Sequence, residues 1–526
     1  MNVLGLHKDP WHNTGAALIC GNDVKTDFVM VSEERLDRVK DSRAFPERAI
    51  AACMKQFGIR SFDEIDLVVT DYICHPKWEE DFYKTPCRKD VFLANFPQEK
   101  IVTINHHLAH AHAVYFSSGF RRAAILIVDG RGSDKETQSL YVADGRTIRL
   151  IATTSVIGIG LFYAAVTQAI GFGLLQEGKT MGLAPYGADV KMKVFDIPRS
   201  FDGIVTDYSE ACVEGNYDLR IPFPPMDTFE AKARAAFEVQ QECEEAMMHL
   251  ARWAREVTGE ENLCISGGVG LNSVANYKLL MSGIFKDVFV NPAASDTGIP
   301  LGAALFGYHH VLQRERNYDE ISAFLGPSYD RTEIESAIAA HKGFAVERSH
   351  AVNKAVEMLA QNKIVACLFD RSEIGPRALG NRSILMSPLR AENKDILNSR
   401  VKHREAFRPF APVILEERTS EYFDMDRPCP YMLFVPDVRP EKRSVIPAVT
   451  HVDGTGRLQT VTEKRNPLFY RITKLFGEKT GVPVLLNTSF NDNNEPIVET
   501  PKDAVRCFLG TNIDALLIGG DILLVK

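Results

Sequence analysis

Residues 122–154 read RAAILIVDGRGSDKETQSLYVADGRTIRLIATT. The stretch divides into an apolar run (Ala124–Asp129) closed by Asp-Gly, a polar loop (Arg131–Thr137), a strand (Gln138–Val142), an Asp144-Gly145 turn and a further strand (Arg149–Thr154). The same succession stands at the start of the chain. Val3–Leu6, Gly15–Cys20 and Phe28–Ser32 read as short strands, the last two joined by a turn at Gly21-Asn22-Asp23. A strand–loop–strand–turn–strand unit that occurs twice predicts an internal duplication.

Working outward, apolar helical stretches are expected at about 158–171 and 230–256. A strand at Leu263–Ile265 then runs through Ser266-Gly267-Gly268 into a helix from about Leu271. Antiparallel strands mixed with helices, present twice, describe a duplicated α/β fold of the actin-like (ASKHA) kind shared by actin, sugar kinases and Hsp70. Near Arg314–Arg331 the helical pattern stops in a charged and Gly-Pro-containing stretch, and helices resume near Thr332 and Ala351. This predicts one domain over 1–320 and a second α/β domain over 321–526, with strands at Ile364–Phe369, Val484–Leu486, Ala515–Ile518 and Ile522–Val525.

The 526 residues are 45% apolar and 25% charged, an ordinary globular composition, and the formal net charge is −8. Nothing here predicts attraction to nucleic acid or to anionic lipid, so any basic site must be local. The ten cysteines are scattered singly, as free thiols in a reducing cytoplasm would be. No apolar run approaches the ~20 residues of a membrane span, and the start MNVLGLHKDPWHN has neither a basic beginning nor a long apolar core, so a cytoplasmic location is expected.

Four of the fourteen histidines crowd into His106–His112. If Asn105 caps a helix, His106 and His110 lie on one side of it, one turn apart. Such a pair, without the Glu of H-E-x-x-H, is as a rule packing or helix surface; the alternative is a shared metal. Asp129, at the end of an apolar strand, and Asp296, just before a small-residue helix, would complete a ligand set suited to Fe(II), Mn(II) or Zn(II). Singly, each Asp reads equally as a cap or turn residue.

Two glycine-rich segments invite a nucleotide. In Ser266-Gly267-Gly268-Val269-Gly270-Leu271-Asn272 a strand enters a helix with backbone free to approach phosphates. In EGKTMGLAPYG, residues 177–187, Lys179 stands amid what reads as a loop. The second domain carries Arg371, Arg377, Arg382, Arg400, Lys402, Arg404 and Arg408 within 38 residues, interleaved with Gly, Pro and apolar residues. A solvated charged face is the usual meaning of such a run; guanidinium forks for a small anion are the other. Asn487-Thr488-Ser489-Phe490-Asn491 ends a strand with side chains suited to a small polar group, or to a turn.

In order along the chain, HNTGAAL, SEERLDRVK, NHHLAHA, VDGRG, EGKTMGLAPYG, SGGVGLNSVAN, SDTGIPLGAA, GPRALGNRSIL, REAFRPFAP, THVDGTGRLQTV and LLNTSFN make the chain resemble the O-carbamoyltransferases of the nodulation-protein and tobramycin-carbamoyltransferase type. The resemblance covers almost the whole length. It implies a Kae1-like N-terminal domain followed by a YrdC-like C-terminal domain. It also implies a divalent metal, commonly iron, on His106, His110, Asp129 and Asp296, and a nucleotide near Gly130, Lys179, Gly267, Gly268 and Asn272. Carbamoyl phosphate and ATP with Mg2+ would bind Arg377, Lys402, Arg404, Arg408, Arg457, Asn487, Ser489 and Asn491. Carbamoyl-adenylate formed there would deliver its carbamoyl group to a hydroxyl of a small metabolite, with His12 as candidate base and Lys40, closing SEERLDRVK, as a second catalytic candidate. Asn13 stands where relatives carry an Asp beside that histidine, and Asp370-Arg371 replaces a Gly-Arg; His107 and His112 match no ligand position and are expected to support. Segments 72–100 and 188–230 are expected to shape the acceptor pocket. The competing readings are a fused tRNA threonylcarbamoyladenosine-type enzyme and an ATP-binding regulatory protein on the actin-like fold.

Overall fold

A computed structural model describes residues 1–8, 13–22, 24–71, 97–213 and 218–526. The chain forms two compact units, one of Met1–Glu33 with Asp41–Ile321, the other of Glu34–Lys40 with Ser322–Lys526. The second unit thus takes in a short excursion of the N-terminal chain, which an unbroken division at residue 320 did not foresee. The cause is Arg35, which donates to the Gly375 carbonyl at 2.8 Å, and Arg38, which donates to the Pro496 and Ile497 carbonyls at 2.7 Å each.

In the first unit, β1 (Asn2–His7), β2 (Gly15–Gly21), β3 (Thr26–Ser32), β4 (Leu67–Thr70) and β5 (Ile101–Thr103) form a sheet of order β3-β2-β1-β4-β5. Strands β3, β2 and β1 are antiparallel, and β1, β4 and β5 parallel. A second sheet repeats this plan. Its strands are β6 (Arg122–Val128), β7 (Gln138–Asp144), β8 (Thr147–Thr154), then, after a small hairpin of β9 (Ser200–Asp202) and β10 (Val205–Asp207), β11 (Asn262–Ser266) and β12 (Asp287–Val290). The order is β8-β7-β6-β11-β12, again three antiparallel strands followed by parallel pairings of β6 with β11 and β11 with β12. The predicted duplication is therefore present. Central strands β1, β6 and β11 are near-continuous apolar runs, as strands covered on both faces must be.

Helices form where caps and apolar periodicity coincide. Thr228 accepts from the Ala231 amide to start Phe229–Thr258, and Gly259 ends it in a left-handed conformation. The segment EGKTMGLAPYG is a correction: it is a helix (Glu177–Leu183) continued by a 3-10 turn (Ala184–Gly187). Both pack on helix Phe229–Thr258, and that burial outweighs the glycines' weak helix propensity.

The second unit holds a mixed eight-stranded sheet built from β13 (Ala345–Glu347), β14 (Val365–Leu368), β15 (Arg382–Met386), β16 (Ala411–Leu415), β17 (Gln459–Val461), β18 (Val484–Ser489), β19 (Ala515–Ile518) and β20 (Ile522–Val525). Its order is β13-β20-β19-β14-β15-β18-β16-β17. Helices Ala351–Ala360 and Pro467–Thr480 cover its core with Leu359, Phe469 and Phe476. No helix among the described residues is long and apolar enough to cross a membrane.

Candidate functional site

The first polar centre grows from three chain ends that meet. Asn105 accepts from the Leu108 amide and starts helix His106–Ser117, so His106 and His110 share one buried side, as their spacing predicts. Asp129 follows β6 directly. Asp296 opens a 3-10 turn that leads into helix Ile299–Phe306, and Gly302 lets that helix close on the first one: a Cβ there would lie 1.9 Å from the Ala109 carbonyl oxygen. Four ligand atoms, one from each of His106, His110, Asp129 and Asp296, then lie within 4.8 Å of one another.

Each of the two histidines is oriented from behind. His106 Nδ1 donates to Asp71 Oδ2 at 2.8 Å, which turns Nε2 toward Asp129 Oδ2 (3.6 Å) and Asp296 Oδ1 (3.5 Å). Ser266 Oγ donates to the Ala294 carbonyl at 3.1 Å, so its oxygen receives His110 Nδ1–H at 3.2 Å. His110 Nε2, on the other side of the ring, faces Asp129 Oδ2 at 3.0 Å. Asp129 Oδ1, for its part, accepts from the amides of Gly130 (2.8 Å) and Gly268 (3.0 Å).

An imidazole nitrogen and a carboxylate oxygen this close in a buried site must share a positive charge, either a proton or a metal cation. Burial works against charge on His106, but Asp296, Asp129 and Asp71 outweigh it and raise its affinity for a proton well above the ordinary. Burial and Asp296 would likewise push Asp129 up, and the two histidines hold it down instead. His106 Nε2 is buried and makes no hydrogen bond among the described residues. Two imidazoles and two carboxylates within 4.8 Å of one another, three of them tethered on their far sides, fit a divalent metal ion.

Asp71 and His7 were not picked out in the sequence. Asp71 follows β4 and lies between two histidines, accepting from His7 Nδ1 at 2.9 Å as well as from His106. Burial would raise its carboxyl, but His7 and His106 hold it at about 2. The signal was a polar residue at the carboxyl end of an apolar strand, the one that marked Asp129. His107, with Nδ1 at 2.7 Å from Ser139 Oγ, and His112, whose Nδ1 donates to the Leu108 carbonyl at 2.9 Å, support without ligating. Burial pushes both down, His112 to about 3, so both are neutral.

The glycine amides expected beside a nucleotide are engaged within the protein: Gly267, in a left-handed conformation (φ +89°), donates to the Ala294 carbonyl, and Gly130 and Gly268 hold Asp129. Asn272 caps helix Ser273–Met281 and donates to Gln240 Oε1 at 2.9 Å. Lys179 Nζ lies 5.5 Å from the Phe172 ring centroid. Exposed Lys40 belongs to the second unit. His12 lies outside the described residues, as does most of segment 72–100 and residues 214–217 of 188–230.

In the second unit the basic run divides. Arg382, on β15, is fully buried and donates to the Glu499 and Asn381 carbonyls at 3.1 and 3.0 Å, with the Glu499 carboxylate 3.6 Å away. Arg371 donates to the Gly326 and Leu325 carbonyls, and Arg400 pairs with Asp514 at 3.0 Å. These three are structural, and two of them have the acidic partners that the run seemed to lack.

The other four, with Arg457 from further along the chain, form one electrostatic group. Arg377, Arg404 and Arg457 have buried Nε atoms without a hydrogen-bond partner and, among the described residues, no carboxylate ion pair. Burial lowers the proton affinity of all three and of Arg408, and for Arg377, Arg404 and Arg457 neighbouring guanidinium groups lower it further. Burial and Arg404 push Lys402 to about 7, against four oxygens that accept from its Nζ: the carbonyls of Ser489 and Asn491 (3.0 Å each), Ser489 Oγ (3.3 Å) and Asn491 Oδ1 (2.7 Å). Asn487 donates to the Ala378 carbonyl at 3.1 Å and to Gln459 at 2.7 Å, which steadies the loop carrying Arg377. A buried group of like charges is destabilising until an anion arrives.

Comparison with known proteins places the whole chain. The family model described as carbamoyltransferase N-terminus matches residues 83–305, and the carbamoyltransferase C-terminus model matches 356–526. Nodulation protein NolNO of Sinorhizobium fredii is 35% identical over 99% of this chain and 80% of its own length. Nodulation protein NolO of Bradyrhizobium diazoefficiens is 38% identical over 79% of this chain and 78% of its own. An uncharacterised Synechocystis protein is 33% identical over 98% and 95%. By these matches in both halves, the chain belongs to the carbamoyltransferase family and is a carbamoyltransferase.

Proposed function

We propose that the protein is an O-carbamoyltransferase that uses carbamoyl phosphate and ATP, forms carbamoyl-adenylate in the second unit, and transfers the carbamoyl group to a hydroxyl of a small metabolite in the first. The observation that carries this reading is the pair of unlike centres, one short of a cation and the other of an anion. In the second unit Arg377, Lys402, Arg404, Arg408 and Arg457, with Asn487, Ser489 and Asn491, hold the phosphate groups. Hydrolysis of carbamoyl phosphate by one water molecule breaks its acyl phosphate bond and releases inorganic phosphate and carbamate; a carbamate oxygen then attacks the α-phosphorus of ATP, and pyrophosphate leaves as carbamoyl-adenylate forms. Burial keeps water from the carbamate, which decomposes in it.

In the first unit the acceptor oxygen attacks the carbamoyl carbon, the bond to the AMP oxygen breaks, and the hydroxyl proton passes to a base, for which His12 is the candidate. His106, His110, Asp129 and Asp296 would hold Fe(II) or another divalent ion, which when bound supplies a Lewis acid for the carbamoyl oxygen. Gly130, Lys179, Gly267, Gly268 and Asn272 are assigned to the nucleotide, and Lys40 is kept as the second catalytic candidate. A Kae1-like first unit and a YrdC-like second unit are part of this reading, supported by the repeated sheet and the separate mixed sheet, as is a cytoplasmic location. The confined basic group and acidic net charge favour a small acceptor over tRNA.

The test is to incubate the full chain with labelled carbamoyl phosphate and ATP. Pyrophosphate, carbamoyl-adenylate and AMP are expected; their absence removes the proposal.

A further inference from the structure

The loop that carries Arg457 also carries His451, so far without a role. Its tautomer follows from its neighbours. Thr455 Oγ1–H donates to Asp453 Oδ1 at 2.7 Å, so the Thr455 oxygen meets His451 Nδ1 at 3.1 Å as an acceptor. The proton of the neutral ring is therefore on Nδ1, and Nε2 carries a lone pair. That atom is buried and has no hydrogen-bond partner among the described residues. Burial pushes the imidazole down to about 4 against the pull of Asp453, with Arg457 and Lys394 adding to the fall, so the ring is neutral near pH 7.

A lone acceptor on the loop that supplies one of the donors is chemically informative. Guanidinium and ammonium groups have only N–H to offer, which suits the oxygens of the phosphate and of the carbamoyl carbonyl but not an NH2. The other end of carbamoyl phosphate is an amide, and its NH2 needs an acceptor. We propose that His451 Nε2 accepts an N–H of the carbamoyl group and so distinguishes carbamoyl phosphate from acyl phosphates of the same size. This deepens the reading above and rests on it. A site built to pair a substrate N–H rejects an analogue with a methyl group there, because the buried acceptor is left bare.

Two phosphonates separate the possibilities: phosphonoacetamide, which ends in NH2, and acetonylphosphonate, which replaces NH2 by CH3. Calorimetric titration of the full chain should give a preference for the amide of ~10-fold or more. His451→Leu should bring the ratio to about one while acetonylphosphonate, held by its phosphonate, binds within ~3-fold of wild type. His451→Gln, which restores an acceptor, should recover the preference. A ratio unmoved in His451→Leu, or a parallel loss of both ligands, overturns the assignment and leaves the carbamoyl phosphate reading standing. If wild type binds neither phosphonate, that reading and this inference fall together.

Discussion

Both polar centres are buried, yet they are stabilised in opposite ways. In the first unit three of the four ligating groups have a second bond behind them: His106 on Asp71, His110 on Ser266, Asp129 on two amides. In the second unit neighbouring guanidinium groups lower the proton affinity of Arg377, Arg404 and Arg457, whose Nε atoms have no hydrogen-bond partner among the described residues, whereas Lys402 Nζ is cradled by four oxygens. On the proposed reading the first centre is pre-organised for an ion that needs fixed ligand positions. The second stores repulsion that a phosphate group would relieve, so its binding energy would be drawn from a strained free state.

His110→Ala tests the division most severely. Transfer should fall by ~10³-fold or more and the metal should be lost, whereas pyrophosphate release in the second unit should persist. Loss of both half-reactions would contradict the separation. Arg457→Met should cut carbamoyl-adenylate formation by ~100-fold through a lost charge-assisted bond, and should raise the thermal midpoint of the ligand-free protein because repulsion is removed. A lowered midpoint would show that the arginines are not frustrated.

Asp71→Asn sharpens the other half. With the groups behind His106 weakened, affinity for Mn(II) or Fe(II), read by equilibrium titration, should drop ~10–100-fold while the fold persists. An unchanged affinity would make Asp71 mere packing.

The smallest effect concerns protons. Burial lowers His107, His112, His309 and His451, the last three to about 3, 4 and 4. The unfolded chain takes up these protons near the ordinary histidine value and the folded chain does not, so below about pH 6.5 the unfolded state binds more protons and stability falls. The thermal midpoint should decline from about pH 7 to about pH 5, and His112→Leu should make that decline shallower by about one proton.

Much of this could be read from residues alone. Two strand–turn–strand runs announced the repeated sheet, and Asn105 with a four-residue spacing announced the side on which His106 and His110 meet. Division of the basic run could not be read that way. Arg377 and Arg382 sit in one glycine-containing motif, but Arg382 lies on β15 and is aimed into the core, toward Glu499, more than a hundred residues away in sequence. His7 and Asp71 escaped for a related reason: a lone polar residue at a strand end looks like a turn until another chain segment arrives beside it. In EGKTMGLAPYG local preference pointed to a loop, and packing on a long helix prevailed.

Gly302 never approaches a ligand, yet it sets the gauge of the ligand set from behind. Its missing side chain fixes how near two helices can run, and with that the gap between Asp296, in the 3-10 turn that leads into one, and the histidines on the other. Gly302→Ala would push the helix backbones apart and widen the gap, so the mutant should favour larger ions over smaller ones in competition titrations. On the proposed metal reading, ion choice is then a matter of interhelical clearance, adjustable by a residue that is not itself a ligand.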